Sequence, residues 1–222
     1  AIISELEAVR RAVADGDNLK GKYLELTDDM VLPDGWQGIG TLKAGATDVD
    51  KGRNIAPFSG ILSGAGHTVT TADGGKPLFG YVREAIIRNL NIAGHNIDGN
   101  GLICYYERDY GPYGNSAPKT AIVSNVTILS GTTIRGSGII SGYGAAANIV
   151  DIKHCTVEEG VVIGCAKDRE KVGSLGGDFN GTITDCRSGA TVYGTFYVGG
   201  IMGCKSNSMD KTVISNCVFT GK

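Results

Sequence analysis

The chain has 222 residues, and its 21 basic and 23 acidic side chains give a net charge of −2 at neutral pH. This balance, without a basic stripe, argues against nucleic acid or an anionic membrane as a partner, and no apolar run approaches the roughly 18 residues of a membrane span. Glycine is abundant at 35 residues and proline scarce at 5, which is typical of a chain that turns often without a collagen-like period.

The first predicted element is a short amphipathic helix within residues 1–20. Ser4 and Glu7 have the spacing of a capping box, and Asp15 with Gly16 ends the helical pattern. Apolar residues recur between these limits at helical spacing: Leu6, Val9 and Val13. The rest of the chain is predicted to form a solenoid, in which repeated coils of short strands stack on one another. A solenoid needs a cover with a polar outer face at its end, so we expect this helix to cap the first coil.

Residues 21–77 are predicted to form the first coils. Residues 22–27 alternate between polar and apolar side chains, as a half-buried strand does. Two further apolar segments, at residues 36–40 and 58–69, are separated by a polar excursion at residues 41–54.

Residues 78–222 repeat two short phrases five times. The opening phrase has two apolar residues, a small residue and then Tyr or Cys, and it occurs at residues 78–81, 102–105, 139–143, 162–165 and 201–204. The closing phrase begins with Ile or Val, and it occurs at residues 87–92, 123–128, 152–157, 183–188 and 214–219. Self-similarity at this period predicts a solenoid, and its single continuous core predicts one domain over residues 1–222.

The repeat is strand-like, because apolar and polar residues alternate over short runs rich in Val, Ile and Thr. In the closing phrase the alternation slips by one residue at the third position. That position holds Asn89, Asn125, His154, Asp185 and Asn216. These residue types tolerate the left-handed backbone region, so we expect the chain to bend there and to send both flanking apolar side chains inward. The predicted fold is therefore an all-β parallel β-helix with a short N-terminal capping helix.

Six cysteines are present, and none has the ligand spacing of a metal site. Cys155, Cys186 and Cys217 recur at 31-residue intervals, which predicts one inward column. Coils stack about 4.8 Å apart, whereas the Cβ atoms of a disulfide lie about 3.8 Å apart, so buried free thiols are expected. The sequence predicts no metal and no cofactor.

Successive opening phrases are 24, 37, 23 and 39 residues apart, which indicates two insertions of about fourteen residues. They are predicted as loops at residues 106–120 and 166–180, in the same part of the repeat. Loops two coils apart would lie about 10 Å from each other and form a cleft.

The candidate ligand-binding residues lie in and beside these two segments. They are Tyr105, Tyr106, Arg108, Tyr110, Tyr113, Lys167 and Arg169. An aromatic face with a hydroxyl suits a sugar ring or a protein partner. The alternative is that the tyrosines pack their loop against the coils and that the charges form a solvated face.

A catalytic site is not supported by the outward positions of the repeat. The column beside the closing phrase contains no carboxylate; it consists of Arg88, Ser124, Lys153, Thr184 and Ser215. A hydrolase needs two carboxylates at a workable separation. His154 and Asp185 are interpreted as bend residues, and the oxygen-rich residues 98–101 lack the spaced ligands of a calcium loop.

Several segments resemble bacterial surface proteins that carry the GLUG motif. They are the helix, the Leu-Thr-x-Asp strand at residues 26–29, the Trp-x-x-Ile-Gly turn at 36–40, the Phe-Ser-Gly to Gly-His-Thr-Val segment at 58–69 and Leu-Phe-Gly-Tyr at 78–81. Residues 200–203, Gly-Ile-Met-Gly, most nearly match the family's Gly-Leu-Val-Gly core, whereas Ser63 replaces its usual Asp. The resemblance covers nearly the whole chain. It implies a pectate-lyase-like, right-handed parallel β-helix in a secreted or surface-anchored adhesin, with no catalytic residues to carry over.

The sequence therefore predicts a non-catalytic extracellular recognition or adhesion domain that is part of a larger protein. Its expected partner is a glycan, with a host or cell-surface protein as the alternative. A β-helix polysaccharide lyase or glycoside hydrolase is the second hypothesis, and a structural spacer is the third. No segment after Phe219 is long enough to cover residues 212–219, so we expect either a continuation in a longer protein or end-to-end self-association there.

Overall fold

The computed structural model describes residues 3–47, 54–106, 119–141, 148–165, 170–205 and 212–222. These residues form one helix, α1 (Ile3–Ala14), and 23 strands, almost all of them paired in parallel. The structure is therefore an all-β parallel fold, as the alternating pattern predicts. The described residues contain no helix with the length and apolarity needed to cross a membrane.

The largest sheet has twelve strands in parallel pairs. Its strands are β1 (Tyr23–Glu25), β2 (Met30–Val31), β5 (Ile61–Ser63), β6 (Thr68–Thr71), β8 (Ile86–Gly94), β10 (Lys119–Ile128), β12 (Asn148–Lys153), β13 (Thr156–Val157), β17 (Gly181–Thr184), β18 (Arg187–Ser188), β22 (Val213–Ser215) and β23 (Val218–Phe219).

The remaining described strands form smaller sheets, and we use the word coil for one repeat of the chain with its strands. Three parallel pairs are β7 (Phe79–Val82) with β9 (Ile103–Tyr106), β15 (Glu170–Gly173) with β20 (Phe196–Gly199), and β16 (Gly176–Phe179) with β21 (Met202–Lys205). A three-stranded parallel sheet consists of β11 (Thr133–Ile134), β14 (Val162–Gly164) and β19 (Thr191–Tyr193). An antiparallel pair consists of β3 (Thr41–Leu42) and β4 (Ile55–Ala56).

The closing phrases stack in the predicted register. Successive strand partners are Leu24, Leu62, Ile87, Val123, Ile152, Ile183 and Ile214. The four members from Ile87 to Ile183 are at most 1% exposed, so this column lies in the core. The outward column from Arg88 to Ser215 is in register as well.

The five predicted bend residues all have a left-handed backbone. Their φ angles lie between 50° and 55°, at Asn89, Asn125, His154, Asp185 and Asn216. The bend turns the apolar residues on both sides inward: Ile87 and Leu90, for example, are each 1% exposed. His154 and Asp185 are thus bend residues, as the sequence predicts.

Helix α1 packs on the same core, because Leu6 and Val13 are each 1% exposed and belong to the main hydrophobic cluster. The predicted capping box is wrong. Ser4 lies inside the helix, and the Glu7 carboxylate instead accepts hydrogen bonds from Arg10 at 2.6 Å and from Arg11 at 3.2 Å. The Arg10 hydrogen bond lowers the pKa of Glu7.

One of the five opening phrases was misassigned. Successive partners in the structure are Phe79, Ile103, Ile140, Gly176 and Met202. Residues 162–165 are not in this column, because β14 pairs with β11 and β19 in a different sheet. Val162 and Ile163 precede Gly164 in β14, just as Leu78 and Phe79 precede Gly80. The same short pattern thus occurs in two different sheets, and it does not specify which sheet a strand joins.

The corrected spacings are 24, 37, 36 and 26 residues, so the two long coils are neighbours rather than two coils apart. The predicted loop at residues 166–180 is also wrong over its described part. Residues 170–180 contain β15 and β16, and their apolar side chains Val172, Leu175 and Phe179 are at most 2% exposed. The free energy gained by burying these three apolar side chains favours strands packed on the core over a loop in solvent. The predicted cleft between two protruding loops is therefore not formed by these residues.

The cysteine column is present. Cys155 and Cys186 are at most 1% exposed, Cys217 is half-buried, and all three are free thiols. The Cys155 backbone N–H donates to the Cys186 sulfur at 3.4 Å, which places the two residues on adjacent coils. Hydrogen bonding to Cys186 and burial raise the pKa of Cys155, whereas the Cys155 hydrogen bond lowers the pKa of Cys186 to about 7.

We expect Cys186→Asp to unfold or severely destabilise the protein, because it buries an unpaired carboxylate in this column, at a cost of about 3–5 kcal/mol. Cys186→Val keeps the volume apolar and is expected to cost less than about 1.5 kcal/mol. Thermal denaturation followed by circular dichroism measures both. Equal melting temperatures for the two variants would contradict a core position.

The thiols of Cys155, Cys186 and Cys217 are expected to be reduced. Alkylation of the unfolded, unreduced protein is therefore expected to label all three, and cysteines that stay unlabelled would indicate disulfides.

Strands β22 and β23 expose three apolar side chains, one of which matches a buried side chain on the preceding strand. Ile214 is 45% exposed, whereas Ile183, its partner in the same inward column, is 0% exposed. Val213 and Val218 are 42% and 47% exposed. Adjacent exposed apolar side chains on an edge strand favour association with another strand.

Where no further segment of chain covers β22 and β23, we expect self-association through residues 212–219 that depends on concentration. Val213→Lys and Val218→Lys are expected to weaken this association, because a charge at the contact must be desolvated. Val31→Lys, at a position 65% exposed on β2, is the matched control and is expected to behave as the original chain. Light scattering that finds a strict monomer at high concentration would contradict the expectation.

Candidate functional site

A polar groove of about 220 Å³ crosses several successive coils. Its polar side chains are Lys76, Asp98, Asn100, Ser137, Ser141, Glu170 and Lys171, with Gly99, Gly136 and Val172 completing the lining. We refer to these ten residues as the polar groove. Concave sites with a few convergent polar groups are the usual places for ligand binding.

Backbone hydrogen bonds align the segments that line the polar groove. The Gly136 N–H donates to Gly99 at 2.7 Å, and the Gly138 N–H donates to Gly173 at 3.2 Å. A side chain at Gly138 would collide with the Ser174 carbonyl oxygen. Glycine is therefore required where the backbones of these neighbouring coils approach each other.

Asn100 ties the floor of the polar groove together. It is 5% exposed, its amide nitrogen donates to the carbonyl oxygens of Ile103 at 3.0 Å and Ser141 at 3.2 Å, and its amide oxygen accepts from the Ser137 N–H at 2.9 Å. One buried side chain thus satisfies three backbone groups on two coils.

The two serines extend this network to the next coil. The Ser137 hydroxyl accepts from the Gly173 N–H at 3.3 Å, and the Ser141 hydroxyl accepts from the Asp178 N–H at 2.9 Å. Each hydroxyl keeps a hydrogen that it can donate elsewhere. The floor is therefore fixed in position and still offers donors.

Two ion pairs lie at the polar groove. Lys76 and Asp98 are 2.5 Å apart and partly exposed, and Lys171 lies 2.9 Å from Asp178, whose side chain is 7% exposed. The Cys204 sulfur donates to the same carboxylate at 3.8 Å. Burial and the Asp178 charge raise the pKa of Cys204, so its thiol stays protonated and can act as this donor.

Most of the predicted ligand-binding residues fall outside the described part of the chain. Arg108, Tyr110, Tyr113, Lys167 and Arg169 lie there. Tyr105 and Tyr106 belong to β9, where they pair with Tyr81 and Val82 of β7. The role of all seven residues in ligand binding stays a prediction.

The polar groove itself was not predicted from the sequence. Its clearest signal in the sequence is the oxygen-rich segment at residues 98–101, which lacks the ligand spacing of a calcium loop. Within the described ranges, no three His, Cys, Asp or Glu side chains are grouped to hold a metal ion. Asp98 and Asn100 instead contribute polar groups to a groove shared by several coils.

The chain matches no protein-family model and no curated protein. It is similar in structure to a "putative immunoglobulin A1 protease" from Bacteroides ovatus, with a TM-score of 0.63 and 19% sequence identity. The similarity covers 99% of this chain and 64% of that chain, so this chain spans less than two thirds of its length. At this identity the similarity defines a shared fold and carries no activity across.

We expect Asn100→Ala to lower stability by about 1–3 kcal/mol, because it leaves the buried Ser137 N–H without its acceptor. Asn91→Ala is the matched control, since the Asn91 amide makes one exposed hydrogen bond to the Gly66 carbonyl. Denaturant unfolding measures both variants. Equal loss of stability in the two would contradict the role of Asn100 in the floor.

Proposed function

We propose that this chain is a right-handed parallel β-helix whose N-terminal helix covers the first coil, and that it is a non-catalytic recognition domain for carbohydrate. The parallel register of seven successive strands, from Leu24 to Ile214, and the five left-handed bends support this coil geometry. The burial of Leu6 and Val13 supports the capping role of α1. A secreted or cell-surface location belongs to the same proposal.

The observation that carries the ligand assignment is the pairing of donors and acceptors in the polar groove. A sugar hydroxyl both donates and accepts, so it is best bound where an ammonium and a carboxylate lie side by side. Lys76 with Asp98 provides that combination at the surface of the polar groove, above the fixed floor of Asn100, Ser137 and Ser141. A preorganised floor reduces the entropy lost on binding.

The same residues support recognition rather than hydrolysis. Asp98 and Asp178 are each ion-paired with a lysine, and Glu170 forms no ion pair with another described residue. A glycoside hydrolase instead needs an acid and a base that exchange protons with the substrate. The carboxylates and lysines nevertheless keep a lyase or hydrolase as the second hypothesis, to be separated by product release.

Binding to a glycan array followed by calorimetry on the best ligands tests the proposal. Lys76→Met and Glu170→Gln are expected to weaken binding by about tenfold or more, because each removes a charge-assisted hydrogen bond. Glu159→Gln is the matched control, since Glu159 is exposed and does not line the polar groove. Both groove variants are expected to keep the melting temperature of the original chain.

The proposal is refuted if no glycan binds, or if the groove variants bind as well as the control. Release of reducing ends or unsaturated uronates by the unaltered chain would establish the second hypothesis instead. A chain with neither binding nor product release fits the structural spacer.

A further inference from the structure

Two exposed aromatic residues continue the polar groove onto the next coil. Strands β15 and β20 pair with Glu170 opposite Phe196 and Val172 opposite Val198. Lys171 and Tyr197 lie between these partners, and both have a left-handed backbone, with φ of 58° and 54°. Phe196 and Tyr197 therefore extend the columns that begin with Glu170 and Lys171, two residues of the polar groove.

These aromatic side chains are unusually exposed for their size. Phe196 is 63% exposed and Tyr197 is 64% exposed. Burying an aromatic side chain gives a large gain in free energy, so two exposed neighbours mark a surface suited to a partner. Because they adjoin a groove of hydrogen-bonding groups, the combined surface is apolar at one end and polar along the rest.

Both lysines of the polar groove are paired with a carboxylate. Lys76 pairs with Asp98 and Lys171 with Asp178, while Glu170 adds a negative charge. An anionic ligand such as a uronate would therefore meet no excess of positive charge from these described residues. An uncharged sugar chain fits better, since its hydroxyls use both members of an ion pair and its C–H faces pack on aromatic rings.

We propose that the polar groove and the Phe196–Tyr197 surface form one extended site for an uncharged oligosaccharide that lies along the stacking direction of the coils. This inference rests on the proposed carbohydrate-binding function and adds its ligand class and two specificity-determining residues. Four coil steps separate the coil of Lys76 from that of Phe196, a distance of about 19 Å at the strand spacing. The site thus accommodates several sugar rings, and the aromatic end contacts only the longer ligands.

Titration calorimetry with uncharged gluco-, manno-, xylo- and galacto-oligosaccharides, from disaccharide to hexasaccharide, tests this arrangement. Oligogalacturonides of the same lengths provide the charged series. The unaltered chain is expected to bind one uncharged series with an affinity that rises with length. Phe196→Ala and Tyr197→Ala are expected to weaken hexasaccharide binding by about tenfold and to leave disaccharide binding unchanged.

Two controls separate this inference from the function on which it rests. Tyr23→Ala removes an aromatic ring that is 52% exposed on the first coil, and it is expected to change no affinity. Lys76→Met, at the opposite end of the site, is expected to weaken binding at every ligand length. Wild-type binding that the aromatic variants leave unaltered, or tighter binding of oligogalacturonides, overturns the inference alone. Absence of binding to any glycan overturns the proposed function together with it.

Discussion

Each of the five repeats in residues 78–222 depends on one residue that turns the backbone through the left-handed region between two inward side chains. This conformation is unfavourable for residues other than glycine, and it is least so for Asn and Asp. The polar side chains at the bend also bond along the stack: Asn125 donates to Asn89 at 2.9 Å, and Asn216 donates to Asp185 at 2.5 Å. The bend therefore fixes both the shape of each coil and its register with the next.

The polar groove inherits its geometry from this register. Its floor is a set of hydrogen bonds between consecutive coils, in which Asn100, Ser137 and Ser141 each bind backbone groups of a neighbouring coil or segment. Such side chains cannot rearrange without leaving buried polar groups unpaired. The floor of the polar groove is thus fixed in position, whereas its outer lysine and carboxylate side chains are more exposed.

The sequence predicted the sheet better than it predicted the site. The closing phrases could be aligned because a bend residue at a fixed place identifies each of them, as at Asn89 and Asn216. The opening phrases lack such a marker, and their pattern fits residues 162–165 better than residues 175–178, where Gly176 replaces an apolar residue. The polar groove was missed because its residues are distant in sequence and individually ordinary; Asp98 and Lys171, for example, line the same groove only once the coils are correctly registered.

Backbone hydrogen bonds set the distance between consecutive coils, and side chains do not. The backbone segments that carry the groove side chains therefore follow one another at a fixed spacing of about 4.8 Å. A substitution at Glu170 or Lys76 changes the chemistry of one position and leaves the spacing between coils unchanged. A polymer whose repeat length matches a multiple of that spacing can make the same contact on every coil that it reaches. A polymer with another repeat length can do so for only one or two units.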